Sequence, residues 1–369
     1  MTRIYDIAVI GAGMAGASIA AELSPNASVV LLEAEDRPGY HATGRSAAFW
    51  EECYGGPDVV PLTLASGPFL RENGLLSPRG ALYVGRAEDE EAVDAFMARF
   101  AGSGVSIERL GRAALAHHLP GIRPGWDHAI AEPACADIDV AGLHQLYLAS
   151  ARGAGAELRC RSQVVALERE GDGWRIGLAD GDEVLAAVVV NAAGAWADPV
   201  AALAGSRRRG IEPLRRTVAQ LRTDPAPPGD LPLVLDISGR FYFKPESGKL
   251  WLSPHDETPT APCDAAPEEL DVALAIDRFE QVVDWQVAAV EHKWAGLRSF
   301  APDRLPVYGF DNNIPGFFWF AGQGGFGIQT APAAARFGAQ LLLGLPRDTM
   351  TEMLDAGLYS PNRSGLASG

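Results

Sequence analysis

Cysteine is scarce in this chain, and long apolar runs are absent. Four cysteines stand among 369 residues, none of them in a Cys-x-x-Cys pair: Cys53, Cys135, Cys160 and Cys263. This pattern argues against a metal cluster bound by paired cysteines and against a fold stabilised by disulfides. It is typical of proteins in a reducing compartment. The longest apolar stretch, at 184–197, is too short to cross a bilayer and contains Asn191. With no leader-like segment at the start, we expect a cytoplasmic protein without a metal site.

Positive charge is also scarce, since 31 Lys and Arg stand against 47 Asp and Glu, for a net charge of −16. A surface this acidic repels phosphate backbones and anionic lipid, so nucleic-acid and membrane-surface partners are not expected. The remaining composition, 47% hydrophobic and 21% charged, is typical of a globular protein. The length suits two interlocked domains.

A βαβ pattern opens the chain. An apolar strand at 4–10 runs into Gly11, Gly13 and Gly16, then a helix to about Leu23 and a second strand that ends at Glu33. In such a pattern the glycines form the turn and let backbone approach a pyrophosphate, while the acid accepts a bond from the ribose. The pattern predicts a dinucleotide site without distinguishing NAD from FAD.

Two further segments favour FAD. The loop at 38–48 offers Thr43, Arg45 and Ser46 as donors to phosphate oxygens. Glycine-rich strand ends recur at Gly194 and at 322–327, the latter before a helix at 331–343, whereas contacts in a simple NAD domain are mostly confined to one block. We also predict helices at 88–100 and 268–287, a strand at 317–321, and a disordered tail after residue 359.

At these residues the sequence resembles the D-amino-acid-oxidase superfamily of FAD-dependent oxidoreductases, most closely the bacterial D-arginine dehydrogenases. The strings that carry the resemblance follow the same order along the chain: 39–48, 136–139 with 143–145, 191–196, His292 with 294–300, and 323–330. They are specific for the family and much less so for the substrate.

The resemblance implies an α/β fold, with non-covalent FAD in a discontinuous Rossmann-like domain (1–79, 137–209 and 297–369). A second, substrate domain on a mixed β-sheet would comprise 80–136 and 210–296. The implied cofactor contacts are Gly11, Gly13, Met14, Gly16, Glu33, Ala34, Ala42, Thr43, Gly44, Arg45, Ser46, Ala47, Ala48, Val164, Gly194, Gly324, Gly325, Phe326, Gly327, Ile328 and Gln329. The 322–330 cluster contains no cysteine, so a covalent flavin is not expected there.

The resemblance also places a substrate carboxylate between Arg216 and Arg298, with Tyr54, Tyr242 and Gln329 beside it. Paired guanidinium groups bind one carboxylate through charge-assisted bonds. Three alternatives stay open: Arg215 as the true ligand, Arg298 as an interdomain ion pair, and the tyrosines as core residues.

Two departures bear on the substrate. Phe49 stands where D-arginine dehydrogenase has an active-site histidine, and Ala81 where it has the glutamate that meets the guanidinium of D-arginine. A cationic side chain therefore loses its counter-charge, and we expect a neutral or apolar one packed against Phe49 and Trp50. Glu51, a neighbouring carboxylate, is the residue that would restore cation binding.

The expected reaction is oxidative deamination of a D-amino acid by hydride transfer from Cα to flavin N5, giving an imine and then a 2-oxo acid and ammonia. No side chain stands out as a base, and His41 is interpreted as structural. The alternatives are a 2-hydroxy-acid or N-methyl-amino-acid (sarcosine- or glycine-type) oxidoreductase, a non-catalytic flavin-bound binding protein and, least favoured, an NAD dehydrogenase. The electron acceptor (quinone, oxygen or another carrier) and the oligomeric state stay open.

Overall fold

The structure, a computed structural model, describes residues 4–47 and 49–366. The strands, numbered in chain order, are β1 Ile4–Ile10, β2 Val29–Leu32, β3 Phe49–Trp50, β4 Leu76–Pro78, β5 Ala81–Arg86, β6 Glu108–Gly111, β7 Trp126–Glu132, β8 Ala136–Ile138, β9 Glu157–Arg159, β10 Val164–Glu170, β11 Gly173–Leu178, β12 Glu183–Asn191, β13 Glu212–Asp224, β14 Leu233–Asp236, β15 Tyr242–Glu246, β16 Lys249–Ser253, β17 Thr258–Pro259, β18 Gln286–Phe300, β19 Val307–Phe310, β20 Phe317–Ala321 and β21 Gln323–Gly324. The α-helices are α1 Met14–Leu23, α2 Val60–Glu72, α3 Glu90–Phe100, α4 Arg112–His118, α5 Val140–Gly153, α6 Ala197–Leu203, α7 Glu269–Val282 and α8 Ala331–Leu343.

The first sheet holds the order β10-β11-β12-β1-β2-β9, with β20 paired to β12 and β19 to β20. Strands β20, β12, β1, β2 and β9 run parallel. Helices α1, α5 and α8 pack together against it, and their alanine-rich faces share a core with β1 and β2. A second apolar core lies on the other side and includes α6. Because both faces are covered, β2 is apolar and buried at every position.

The second sheet is mixed and follows the order β21-β18-β13-β16-β15-β14-β5-β7-β6, with β17 also paired to β13. Strands β13 and β18 pair antiparallel along nearly their whole length, while β14 and β5 are parallel. Helix α7 packs on this sheet through a core that includes Phe243, Phe279 and Trp285. A small third sheet joins β3, β8 and β4. The predicted α/β architecture with a mixed sheet is confirmed.

Several sequence-based bounds need correction. The helix predicted at 268–287 ends at Val282, because Val283 is extended and β18 begins at Gln286. Strand β18 also runs through residue 297, so this proposed domain boundary falls inside a strand. The tail prediction is wrong for 360–366, since the Arg363 guanidinium donates to Asp303 at 2.7 Å and to the carbonyl oxygen of Pro306 at 2.9 Å. Residues 367–369 lie outside the described part.

Across residues 4–47 and 49–366, no helix is both long enough and apolar enough to cross a membrane.

Candidate active site

The turn between β1 and α1 requires its glycines. Gly11 has φ +96°, and a Cβ there would lie 2.7 Å from the carbonyl oxygen of Ala192. A Cβ on Gly16 would lie 1.8 Å from the carbonyl oxygen of Gly11, so the helix packs on the turn only without a side chain. The N-terminus of α1 is thereby brought against a cavity, where its dipole favours an anion.

Glu33 ends β2 beside this turn. Its carboxylate accepts the N–H of Ala12 at 2.8 Å and the N–H of Glu35 at 3.0 Å, so its orientation is fixed. Glu33 lines the cavity, as does Val164 at the start of β10. An oriented acid at the end of the second strand matches the arrangement that binds an adenosine ribose.

One cavity of about 1110 Å³ is lined both by this dinucleotide turn and by the inner face of the mixed sheet. Ligand pockets usually have volumes of roughly 300–1,000 Å³, so the space suits a large cofactor together with a small substrate. The predicted cofactor contacts on its wall are Gly11, Gly13, Met14, Glu33, Ala34, Ala42, Thr43, Arg45, Ser46, Ala47, Val164, Gly194, Gly324, Gly325, Phe326, Gly327, Ile328 and Gln329. Gly16 and Gly44 lie behind that wall, and Ala48 lies outside the described residues.

Arg45 is engaged differently from the sequence-based expectation of a phosphate contact. Its guanidinium pairs with Asp264 and donates to the carbonyl oxygen of Ala265 at 2.8 Å. Nearby, the hydroxyl of Thr43 accepts the N–H of Met14 at 2.9 Å. Arg45 therefore ties the 38–48 loop to the 264–265 segment, and the α1 N-terminus is the positive group that the turn directs at the cavity.

Gln329 fixes the C-terminal loop. Its side-chain amide donates to the carbonyl oxygen of Glu51 and to the hydroxyl of Thr63, both at 2.9 Å, and accepts the N–H of Glu51 at 3.2 Å. The amide, which sequence reasoning placed among the catalytic groups, is thus occupied in holding two loops together.

The register of β13 and β18 explains the position of the two arginines. Arg216 lies opposite Gly296, and Arg298 follows two residues further along β18, so both side chains emerge on one face as a diagonal pair. Arg215 emerges on the other face, where it pairs with Glu268 and with Asp271 at 2.8 Å. Of the three, only Arg216 and Arg298 line the cavity. We call these two residues the carboxylate anchor.

Local partners orient the anchor. Arg216 donates to the carbonyl oxygen of Asp256 at 2.9 Å, and Arg298 donates to the hydroxyl of Tyr54 at 2.7 Å. The Tyr242 ring lies 6.0 Å from the Arg216 guanidinium. Both tyrosines line the cavity, so the structure brings all four side chains together as expected.

Glu257 is a site residue that sequence reasoning missed. Its carboxylate lies 2.8 Å from Arg298, 2.8 Å from Arg304 and 3.5 Å from Arg216. Burial raises the pKa of Glu257, but Arg304 and Arg298 outweigh it and bring the pKa below its usual range. Asp256 lies 3.8 Å from both Arg216 and Arg215, so Glu257 is the carboxylate that Arg216, Arg298 and Arg304 share.

Burial and mutual repulsion act on the cations of this site. Burial, then the charge of Arg298, lowers the pKa of Arg216 to about 10, which still leaves it cationic at neutral pH. Burial also lowers the pKa of Arg298, but Tyr54 and Glu257 outweigh it and raise the pKa above its usual value. Burial and both arginines lower the pKa of His255, which also lines the cavity, to about 3, so His255 stays neutral.

Beyond the anchor, one part of the wall is apolar. We call this part the side-chain chamber; its residues are Phe49, Tyr83, Phe96, Phe100, Leu235 and Ile237. Trp50 and Ala81, which the sequence suggested for this role, do not reach the cavity surface. The Trp50 indole donates to the carbonyl oxygen of Thr63 at 3.3 Å, and Ala81 is buried behind the chamber in the same cluster.

The described residues hold no group of three or more His, Cys, Asp or Glu placed to bind a metal ion. The glycine turn, the oriented Glu33 and the large cavity fit FAD, which the residues on the cavity wall would hold.

Comparison with known proteins agrees with this geometry. The family model described as FAD dependent oxidoreductase, DAO, matches residues 6–341. Glycine oxidase of Geobacillus kaustophilus is 26% identical over 361 residues, 93% of this chain and 94% of that protein. The crystal structure of that species' glycine oxidase aligns with a TM-score of 0.84 at 23% identity, over 98% of this chain and 99% of that one.

A match to FAD-dependent oxidoreductase domain-containing protein 1 of Bos taurus is shorter, with 27% identity over 42% of this chain and 36% of that protein. L-α-glycerophosphate oxidase of Mycoplasma pneumoniae, solved with FAD bound, aligns with a TM-score of 0.84 at 16% identity, over 93% of this chain and 95% of that one. The finer resemblance to D-arginine dehydrogenase stays a prediction. The chain is a member of the DAO family of FAD-dependent oxidoreductases, and FAD is its cofactor.

Proposed function

We propose that this enzyme oxidises a small amino acid at Cα, with a neutral or apolar side chain and, by the motif resemblance, the D configuration. When FAD is bound it accepts a hydride from the substrate carbon. The observation that carries the proposal is the carboxylate anchor, two buried guanidinium groups on one face of the mixed sheet and on the wall of the FAD cavity.

The anchor fixes one end of the substrate. Charge-assisted bonds from Arg216 and Arg298 to both carboxylate oxygens leave a bound amino acid little freedom to rotate. The side chains of Arg216 and Arg298 are 8% and 12% exposed, so little water competes for them. Tyr54 and Tyr242 add hydroxyl groups beside the same carboxylate. Together these residues orient the Cα–H bond and exclude water from it.

The side-chain chamber supports the neutral or apolar preference. Its aromatic rings contact one another, with Tyr83 and Phe96 centroids 4.5 Å apart and Phe96 and Phe100 4.9 Å apart. Arg99 also lines the cavity and lies 5.6 Å from the Phe100 ring. A cationic substrate side chain entering here would meet aromatic surface and the like charge of Arg99, which costs binding energy.

A glycine-type or N-methyl substrate is the second candidate. It is favoured by the similarity to glycine oxidase along nearly the whole chain. Such a substrate would use the same anchor and leave the chamber unfilled.

Anaerobic reduction of the flavin separates these candidates. The purified holoenzyme is mixed without oxygen with D- and L-forms of apolar amino acids, glycine, sarcosine, D-arginine and 2-hydroxy acids, and the loss of flavin absorbance is followed. We expect an apolar D-amino acid to give the highest efficiency. Faster reduction by D-arginine than by every neutral amino acid would refute the chamber argument, and no reduction by any of them would refute the proposed reaction.

A further inference from the structure

Five arginines line the cavity, and four of them are bound to oxygen atoms of the protein: Arg45, Arg216, Arg298 and Arg304. The fifth is Arg99, whose guanidinium makes no hydrogen bond or ion pair within the described residues 4–47 and 49–366. A guanidinium group has five N–H donors and no acceptor. Arg99 is thus a charged donor on the cavity wall that is free to bind an acceptor on the ligand.

Arg99 lies at the solvent-facing end of the side-chain chamber. It belongs to the last turn of α3, the helix that supplies Phe96 and Phe100 to the chamber. Its guanidinium lies 5.6 Å from the Phe100 ring, and Arg99 is exposed where Phe100 is buried. The chamber is therefore aromatic inside and positively charged where it opens.

The same turn of the chain contacts Arg99 and the carboxylate anchor. The Tyr54 hydroxyl accepts from Arg298 at 2.7 Å, and Gly56 lies two residues further along. A Cβ on Gly56 would lie 2.4 Å from a guanidinium nitrogen of Arg99, so the Arg99 side chain packs directly on this glycine. Two residues of chain span at most about 7 Å. A substrate side chain that runs from the anchor along the chamber is therefore directed at Arg99.

No acid on the cavity wall forms an ion pair with Arg99 in the described part of the chain. Asp58 lies on the same turn, but its backbone faces Tyr359, whose hydroxyl donates to the Asp58 carbonyl oxygen at 2.7 Å. Asp303 is bound to Arg363 at 2.7 Å. The charge of Arg99 is thus left to act on the ligand.

We propose that Arg99 determines which charged side chains the enzyme accepts, an inference that rests on the proposed function. The guanidinium receives the outer end of the substrate side chain, where it stabilises a terminal carboxylate and repels a terminal ammonium group. Because Arg99 is exposed, solvent screens each effect to about fivefold at most. A neutral chain that only fills the chamber stays the best substrate, so the order of preference is neutral, then anionic, then cationic.

Three D-amino acids with four-carbon side chains test this order: D-norleucine, D-2-aminoadipate and D-lysine. Anaerobic flavin reduction gives an efficiency for each, with D-norleucine as the reference within each variant. We expect wild-type holoenzyme to prefer D-2-aminoadipate to D-lysine. Arg99→Gln removes both effects of the charge and should lower this preference by roughly 5- to 25-fold, and Arg99→Glu should reverse it.

Arg207→Glu is the matched control for the change in net charge. Arg207 is exposed like Arg99 but does not line the cavity. We expect this variant to keep the wild-type order and ratios of the three substrates. A change that Arg99→Glu alone produces is therefore local to the chamber and does not arise from the overall field of the protein.

A binding experiment gives a readout that needs no turnover. Hexanoate, adipate and 6-aminohexanoate carry the same three chain ends but no α-amine, so they occupy the site without being oxidised at an amine-bearing carbon. Their dissociation constants follow from titration of the oxidised flavin spectrum. Adipate should bind wild type more tightly than 6-aminohexanoate, and the order should reverse in Arg99→Glu.

Two results would overturn the inference. One is a preference between D-2-aminoadipate and D-lysine that is the same in Arg99→Glu and in wild type. The other is a preference that Asp58→Asn or Arg207→Glu changes as much as Arg99→Glu does. If no amino acid reduces the wild-type flavin, the proposed function itself fails, and the carboxylate series still reports whether Arg99 meets the far end of the ligand.

Discussion

Two separate variants, in which lysine replaces one or the other of the neighbouring arginines of β13, test the anchor. The Arg215 variant serves as the control for the Arg216 variant. Arg216 and Arg215 are adjacent and comparably buried, at 8% and 10% side-chain exposure, but they face opposite sides of the sheet. Lysine keeps the positive charge while losing the planar fork that binds a carboxylate through two bonds. One charge-assisted bond is worth about 1.5–3 kcal/mol.

Arg216→Lys should therefore raise the half-saturating substrate concentration for anaerobic flavin reduction by roughly 10- to 150-fold. Arg215→Lys weakens the pairs with Glu268 and Asp271, so it should lower the melting temperature while leaving half-saturation within about threefold of wild type. Equal effects of the two exchanges on half-saturation, or a larger effect of Arg215→Lys, would refute the assignment of Arg216.

Three further variants probe neighbouring features. Glu257→Gln removes a partly exposed competitor for Arg298, so the half-saturating substrate concentration should fall by up to about fivefold in the same assay. Gly325→Ala places a Cβ 1.8 Å from the Tyr54 hydroxyl and should weaken substrate binding roughly 10- to 100-fold, measured on protein loaded with FAD. Glu132→Gln should flatten the pH dependence of the free energy of unfolding. Burial raises the pKa of Glu132 from 4.5 to about 7, so its contribution, on the order of 3 kcal/mol, is full below pH 4.5 and is lost as pH rises through 7.

Each variant has a contradicting result. Weaker substrate binding in Glu257→Gln would mean that its charge supports the anchor rather than competes for it. Gly111→Ala is the control for Gly325, because a Cβ at Gly111 meets nothing within 4 Å. Equal behaviour of the two alanine variants would remove the steric argument, and a steeper pH dependence in Glu132→Gln would show that Glu132 is ionised more easily in the folded state.

The dinucleotide end of the site could be predicted from the sequence because the backbone geometry of the turn between β1 and α1 requires glycine. Gly16 is forced by the carbonyl oxygen of Gly11 within the same turn, and Gly11 by its own φ of +96°. The strand at 317–321 and the helix at 331–343 follow from their apolar patterns. The family resemblance placed the anchor at Arg216 and Arg298 and left Arg215 open as an alternative to Arg216. Only the pairing of β13 with β18 decided between them, because that pairing fixes which face meets the cavity.

The substrate end depends on contacts between distant segments. Glu257 reaches Arg298 and Arg304 from 41 and 47 residues away, and no motif marks it. The chamber combines Tyr83, Phe96 and Leu235 from three separate segments, which is why Trp50 and Ala81 were suggested for it instead. The sequence suggested a phosphate contact for Arg45, because its ion pair with Asp264, 219 residues away, depends on the tertiary fold.

The central claim is that the carboxylate anchor opens onto the FAD site. It is tested most directly by titrating oxidised holoenzyme with propionate and following the flavin absorption spectrum. We predict a saturable spectral shift in wild type that is lost in the Arg216→Lys, Arg298→Lys double variant and retained in Arg215→Lys. A shift of equal size and midpoint in all three proteins, or none in wild type, would contradict the account.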